Sequence, residues 1–354
     1  MKVSAWNYLS SFARLGFSGG SWGWADPWAG GTEKRVRYGQ SPLGEPVSLG
    51  RVWEVALAAR HRAVLYKQAV GAPSPVAEPQ AFLGYCRHLA GYLPDSIAMA
   101  LTLFRSDPGA PGTLLLRGLP LDTNPSNPGP KSLKPLAERV VAEAVLGALA
   151  CVLGVPDAAD GRQNSAAAEN LILNGDIYPD TSGPKGLRTA AAHRAIPPSF
   201  LLYLRAAQDQ RRTLSIDVAT AKEAVDTLAE EEAVLLRQPL FRMAENCGAD
   251  AAGMRRIWSC PHPLLWDEAG SLHTRLGGSG IMAVSPEAEA ALRAYQAALV
   301  SATRQVKMLP GDVLVINNRK AVHGPIAPVG GSSEVPIGPV LRRWVMAARG
   351  ARGG

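Results

Sequence analysis

The order in which helices and strands follow one another constrains the fold of this chain more than any other feature. Apolar residues recur at helical spacing over residues 51–70 and 78–105, and residues 136–154 are the most hydrophobic helical stretch. Short apolar strands then appear, as at 199–207 and 213–219, separated by irregular loops. This order lacks the regular alternation of strand and helix in Rossmann and TIM folds. It predicts an antiparallel β-barrel or a double-sheet jelly roll backed by helices.

The rest of the chain divides into an N-terminal extension and one domain. Residues 1–50 are rich in Gly, Trp and Pro and show no sustained periodicity, whereas residues 51–354 are predicted to form a single domain with N-terminal helices. Further strands are predicted at 112–121 and 170–178, and further helices at 220–238 and 285–306.

Composition and charge exclude several classes of protein. The net charge of +7 is dispersed, and its densest basic group, "EKRVRYG", carries no interleaved aromatic platform, so we expect no nucleic-acid partner. No apolar run approaches the ~20 residues that span a bilayer, and the N-terminus lacks the apolar core of a signal peptide. The cysteines are scattered without a CxxC pair, which predicts a cytoplasmic protein without a thiolate zinc site.

One histidine stands out by its context. The segment "LPGDVLVINNRKAVHG" reads as a tight turn, an apolar strand, a polar edge and then His323 beside Gly324. A histidine at the end of a strand, next to a residue that leaves space, can present a ligand atom from a rigid scaffold. A second histidine, His193, stands just ahead of the apolar run "SFLLYL".

Residues 112–348 resemble the clavaminate synthase-like branch of Fe(II)/2-oxoglutarate oxygenases, which includes asparagine and arginine hydroxylases. The landmarks follow the family's order, from "GTLLLRGLPLD" through "FLLYLRAAQDQRRTLSIDVA" to "PGDVLVINNRKAVHG". The family motif N-R-x-x-x-H-G is filled by Asn318, Arg319, His323 and Gly324. The resemblance implies a mainly β fold with helical support, a double-stranded β-helix of the jelly-roll, cupin-like type.

The resemblance also implies a function and its cofactors. An oxygenase of this kind would use Fe(II) and 2-oxoglutarate to hydroxylate, desaturate or halogenate an sp3 carbon. Its substrate would be an amino acid or amino-acid-derived intermediate, free or carrier-bound, of specialised metabolism such as antibiotic biosynthesis.

The iron of the family is held by two histidines and one carboxylate. By resemblance, His193 and His323 are the predicted metal ligands and catalytic residues, and Ala195 stands where the carboxylate is expected. Positions two apart on a strand point the same way, as this assignment requires. A rival alignment instead puts Leu187 and Thr189 in the ligand positions and loses both ligands.

The cosubstrate and substrate contacts are also assigned by resemblance. The family anchors 2-oxoglutarate by an arginine, whose position by count falls on Pro339, so Arg343 or Arg342 is predicted to replace it. The predicted substrate-binding residues are His273, Asp176 and Asn318.

The missing carboxylate leaves three hypotheses open. In the first, chloride occupies the position that Ala195 vacates, as in radical halogenases. In the second, a nearby acid such as Asp176 or Asp180 completes the iron site. In the third, the fold survives as a redox-neutral enzyme or a binding protein.

Overall fold

The computed structural model describes most of the chain beyond residue 51. The described residues are 52–122, 140–157, 169–172, 186–206, 213–250, 253–278, 280–329 and 339–347. The N-terminal extension lies outside them, so the predicted domain division stays a prediction. Within these ranges no helix has the length and apolarity needed to cross a bilayer.

Four of the described helices come before residue 154, and three more lie between the later strands. The described helices are α1 (Ala59–Ala69), α2 (Pro79–Ala90), α3 (Asp95–Ser106), α4 (Val140–Leu153), α5 (Ala221–Val225), α6 (Glu230–Leu236) and α7 (Pro286–Ser301). Two of them begin at a side-chain cap: the Thr220 hydroxyl accepts from the Glu223 amide at 3.3 Å, and the Ser285 hydroxyl accepts from the Ala288 amide at 3.2 Å.

The described strands form a seven-stranded main sheet, a three-stranded minor sheet, a second three-stranded sheet and a two-stranded pair. The described strands are β1 (Trp53–Ala56), β2 (Thr113–Arg117), β3 (Gly154–Asp157), β4 (Glu169–Ile172), β5 (Phe200–Arg205), β6 (Leu214–Thr220), β7 (Phe241–Asp250), β8 (Gly253–Trp258), β9 (Leu265–Glu268), β10 (Ser271–Thr274), β11 (Ile281–Ala283), β12 (Arg304–Met308), β13 (Val313–Asn317), β14 (Ala321–Pro328) and β15 (Pro339–Ala347). The main sheet has the order β1-β2-β13-β5-β15-β3, with β4 also paired to β15, and the minor sheet has the order β12-β6-β14.

Successive residues of the main sheet project to opposite faces and enter two separate cores. On β5, Leu202 packs with the helices α1 to α4, whereas Leu201 and Tyr203 pack with residues of the minor sheet such as Ile216. We call these the helix face and the interior face of the main sheet. The interior lies between the two sheets, which confirms the predicted double-stranded β-helix.

The turn before β13 fixes where that strand enters the main sheet. Gly311 has φ of 82°, and a Cβ there would lie 2.5 Å from the Leu119 carbonyl oxygen, so the turn requires glycine. Asp312 accepts from the backbone amides of Leu309 and Gly118 and pairs with Arg117 at 2.6 Å. The predicted turn thus sets the register of the strand that leads to His323.

Candidate active site

His323 lies on β14 with its imidazole in the interior, where only 4% of the residue is exposed. Its Nδ1 lies 3.0 Å from the Gly324 carbonyl oxygen, which can only accept a hydrogen bond, so Nδ1 carries the proton. Nε2 is buried and has no hydrogen-bond partner in the described part of the chain. Histidines that bind metals commonly donate one ring N–H to a carbonyl in this way and present the other nitrogen as ligand.

The surroundings of His323 keep its imidazole neutral. Burial, followed by the positive charges of Arg188 and Arg342, lowers the pKa of His323 to about 3. The ring of Tyr203 lies edge-on, with the two ring centroids 5.7 Å apart. The Nε2 lone pair is therefore available at neutral pH.

The residue directly opposite His323 is Arg188. Their backbones exchange two hydrogen bonds, of 3.0 Å from the Arg188 amide and 2.9 Å from the His323 amide. Residues opposite one another in an antiparallel pair project to the same face, so Arg188 stands on the interior side beside His323. The position across from the predicted distal ligand thus carries a permanent positive charge.

This register shows where the two positions of the rival alignment lie. Leu187 packs in the core outside the minor sheet, and the Thr189 hydroxyl accepts from the Leu276 amide at 3.0 Å. Ala190, like Arg188, belongs to the interior side. Arg188 and Ala190 are therefore the alternating pair that faces the interior, one residue away from the rival alignment.

His193 and Ala195 lie beyond the paired segment. His193 is half-buried in a turn over residues 190–193, and its role as a metal ligand stays a prediction. Ala195 is exposed in the bend that follows this turn, and its place beside the iron stays a prediction, as does the chloride hypothesis.

Asn318 is occupied in holding the segment that carries His193. Its side-chain oxygen accepts from the Ala190 amide at 2.7 Å, and its side-chain nitrogen donates to the Ala190 and Pro198 carbonyls at 3.1 and 2.8 Å. Arg275 reinforces this by donating to the Ala192 carbonyl at 2.5 Å and to the Arg194 carbonyl. The contacts of Asn318 thus assign it a positioning role, rather than the predicted substrate contact.

The neighbouring arginines of β15 point to opposite faces. Arg343 is 3% exposed on the helix face and lies 3.3 Å from the Glu143 carboxylate of α4. The prediction that Arg343 anchors 2-oxoglutarate is wrong, since a main-sheet strand separates its guanidinium from the interior. Arg342 lies on the interior face, and its role as the anchor stays a prediction.

The ring of Trp344, on the interior face of the main sheet, lies close to two guanidinium groups. The guanidinium of Arg342 lies 4.9 Å from the centroid of its ring, and that of Arg194 lies 5.1 Å away. Trp344 is 7% exposed, and none of the described residues supplies an acceptor to its buried indole Nε1. Sequence reasoning missed Arg188 and Trp344, although the alternation along "LRTA" and "RRWV" could have indicated which residues share a face.

The next predicted substrate residue is His273. His273 is on β10, opposite Trp266, with its Nδ1 3.5 Å from Glu268, which also pairs with Arg319. Burial and the charge of Arg319 lower the pKa of His273 to about 4. Asp176 and Asp180 lie outside the described residues, so the hypothesis that either acid completes the site remains open.

The described residues do not supply a complete iron site. His323 fits as one imidazole ligand, because no described residue forms a hydrogen bond with its buried Nε2. The residue opposite is Arg188 instead of a ligand, and the described ranges contain no group of three His, Cys, Asp or Glu residues that could hold a metal. A facial triad therefore cannot be assembled from the described residues.

Comparisons with known proteins agree with this fold. No model of a known protein family matches the chain. L-asparagine oxygenase of Streptomyces coelicolor is 26% identical over 266 residues, which are 73% of this chain and 78% of the relative. Clavaminate synthase 2 of Streptomyces clavuligerus is 26% identical over 264 residues, which are 70% and 78% of the two chains.

A solved structure has the same architecture. Asparagine oxygenase in complex with Fe(II), 2S,3S-3-hydroxyasparagine and succinate superimposes with a TM-score of 0.65 at 22% identity, covering 83% of this chain and 93% of that one. The fold is thus that of a non-heme iron oxygenase. Together with the two curated relatives, it confirms the predicted resemblance to the clavaminate synthase-like Fe(II)/2-oxoglutarate oxygenases.

Proposed function

We propose that this protein is an Fe(II)/2-oxoglutarate-type oxygenase acting on an amino acid or an amino-acid-derived intermediate. The observation that carries the proposal is the interior imidazole of His323 in the family motif, whose Nε2 is buried, neutral and without a hydrogen-bond partner among the described residues. The names of the two curated relatives, an asparagine oxygenase and a clavaminate synthase, support the oxidative activity and the amino-acid substrate class.

Arg342 is the proposed anchor for the acidic cosubstrate. It lies on the strand after the distal histidine, on the interior face, where its planar guanidinium could pair with a carboxylate through two hydrogen bonds. His193 remains the proposed second ligand, and the third would come from the substrate, a solvent anion or residues such as Asp176.

The experiment that tests this function is turnover of free and carrier-linked amino acids by the purified protein with Fe(II), 2-oxoglutarate and oxygen. We expect a product enlarged by one oxygen atom, detected by mass spectrometry, together with succinate. Arg342→Gln should weaken 2-oxoglutarate binding roughly tenfold or more, and His323→Ala should abolish turnover. Parallel reactions with and without chloride test for halogenation.

A second function is favoured by one observation. Arg188 places a fixed positive charge beside His323, which disfavours a metal cation there. A redox-neutral enzyme or a binding protein on the same fold would be consistent with this charge. Turnover that continues without iron and oxygen, or binding without any turnover, would support this function and contradict the oxygenase.

A further inference from the structure

The side chain of Lys320 is bound more completely than that of an ordinary surface lysine. Its Nζ donates to the backbone carbonyls of Asp107 at 3.3 Å, Pro108 at 2.9 Å and Ala110 at 3.3 Å. An ammonium group has three N–H donors, so all of them are used. Holding so long a side chain in one place costs conformational entropy, which these three hydrogen bonds have to offset.

The three carbonyls lie where a cation is favoured. We call residues 107–110 the carbonyl loop; it follows α3 directly, and the carbonyl end of a helix carries partial negative charge. The Pro108 carbonyl also accepts from the Ser271 hydroxyl of β10 at 3.0 Å. The carbonyl loop therefore meets both Lys320 and the β9–β10 hairpin.

Lys320 belongs to the turn that joins β13 to β14. The Asn317 amide donates to the Gly112 carbonyl at 2.8 Å, and the Ala221 amide donates to the Lys320 carbonyl at 2.9 Å. A Cβ on Gly112 would lie 2.7 Å from the Cβ of Ala321, so the backbones approach closely here. The turn thus lies directly against the residues that follow the carbonyl loop.

The same turn holds the segment that borders the candidate active site. Asn318, two residues before Lys320, makes three hydrogen bonds to the backbone of residues 190–198. Arg319, between them, pairs with Glu268 of the β9–β10 hairpin. Three consecutive side chains therefore bind one turn to three separate segments of the chain, and a shift of the turn would also shift the segment over 190–198.

We infer that Lys320 is a positioning residue for the candidate active site. Its ammonium is the cation that joins the carbonyl loop to the turn, and the turn holds residues 190–198 through Asn318. The N-R-x-x-x-H-G motif leaves the position of Lys320 open, so the motif does not assign it this role. The inference deepens the proposed function, on which its catalytic consequence rests, because the segment carries the proposed ligand His193.

The test is hydrogen–deuterium exchange of the full-length protein, measured by mass spectrometry without iron or substrate. In Lys320→Ala, exchange should be roughly tenfold faster over residues 107–112, because charged hydrogen bonds are lost. Exchange over residues 190–198 should be about threefold faster or more, because the turn that holds them is released. Residues 200–205 of β5 are the internal reference, since a general loss of stability would accelerate exchange there as well.

Chemical rescue separates the loss of a bound cation from a loss of packing. Methylammonium chloride supplies N–H donors to the carbonyls that Lys320→Ala leaves open, and should return exchange over residues 190–198 to within about twofold of the wild type. Tetramethylammonium chloride at the same concentration has the charge but no N–H, and should restore nothing. Lys222→Ala is the matched control and should exchange like the wild type, because Lys222 pairs with Asp226 on the surface.

A second variant keeps the test decisive if Lys320→Ala fails to fold. Lys320→Gln keeps a polar side chain but removes the charge, and should give the same two accelerations at a smaller size. The inference is overturned if exchange over residues 190–198 is unchanged, if residues 200–205 accelerate equally, or if methylammonium restores no more than tetramethylammonium. Because the samples contain no iron, such a result leaves the oxygenase function standing, whereas absence of turnover in the wild type would contradict that function alone.

Discussion

Arg342 and Arg343 are neighbours in sequence, yet they occupy different chemical environments on the two faces of the main sheet. Arg343 is buried against Glu143 among the apolar residues of α4, whereas Arg342 is only partly buried and lies against Trp344 on the interior face. One guanidinium thus completes an ion pair within the core, while the other borders the candidate active site. Adjacent residues of one type can therefore have unrelated roles when a strand separates two cores.

The two environments differ in what a substitution leaves behind. Removing one partner of a buried ion pair leaves the other charged and unpaired in an apolar core. Removing Arg342 leaves a tryptophan ring that still packs against Arg194. The helix face should therefore dominate stability, and the interior face should dominate binding.

The largest expected effect is on the helix face. Glu143→Ala should lower the free energy of unfolding by about 3–5 kcal/mol, because Arg343 would remain buried without its carboxylate. Denaturant unfolding followed by circular dichroism measures this change. Arg342→Met is the matched control. It should lower the free energy of unfolding by under about 1 kcal/mol, the size of a partly exposed cation–π contact. Equal losses in the two variants would refute the distinction between the faces.

The second expected effect concerns the interior face and is the pH dependence of protein stability. The folded pKa of His323, about 3, lies below the ~6.5 of an unfolded histidine, so the unfolded chain binds this proton first as the pH falls. The stability that the neutral imidazole of His323 contributes is fully present above about pH 6.5 and is lost progressively toward pH 3. Between pH 7 and pH 4, the free energy of unfolding should fall by about 3 kcal/mol more in the wild type than in His323→Leu. If the free energy of unfolding changed with pH by the same amount in the two proteins, this would contradict a neutral buried imidazole.

The smallest effect concerns the segment that borders the interior. Asn318→Ala removes three hydrogen bonds to the backbone of Ala190 and Pro198, and should cost about 1–3 kcal/mol for the buried groups left unpaired. Asn317→Ala, which removes one side-chain contact to the Arg319 amide, should cost less. If hydrogen exchange over residues 190–198 were equally slow in the wild type and Asn318→Ala, Asn318 would not be what holds this segment.

Local patterns predicted most elements of the fold but not their ends. The helix predicted at 78–105 divides at Pro94, which lacks the amide that a continuous helix needs, and the helix predicted at 220–238 divides between α5 and α6. The helix predicted at 285–306 ends at Ser301, and the residues from Arg304 pair with β6 instead. That pairing depends on a partner almost ninety residues away, which no local window contains.

The same limit explains what was missed at the site. His323 was predictable because the turn, the apolar strand and the motif are contiguous in sequence. The place of Arg188 depends on its register with β14 and on a turn in which Ala191 adopts φ of 50°, a conformation that residues other than glycine rarely take. Neither feature can be read from alternation alone, so the sequence did not indicate that Arg188 lies opposite His323.

The way in which Asn318 and Arg275 hold residues 190–198 has a consequence for evolution and engineering. Both side chains bond to backbone atoms of the segment, whose path is thus largely independent of the side chains that it carries. Exposed positions of the segment such as Ala195 and Ile196 can therefore diverge, by natural drift or in a designed library, while the course of the chain is preserved. The segment is a scaffold on which new substrate selectivity could be built.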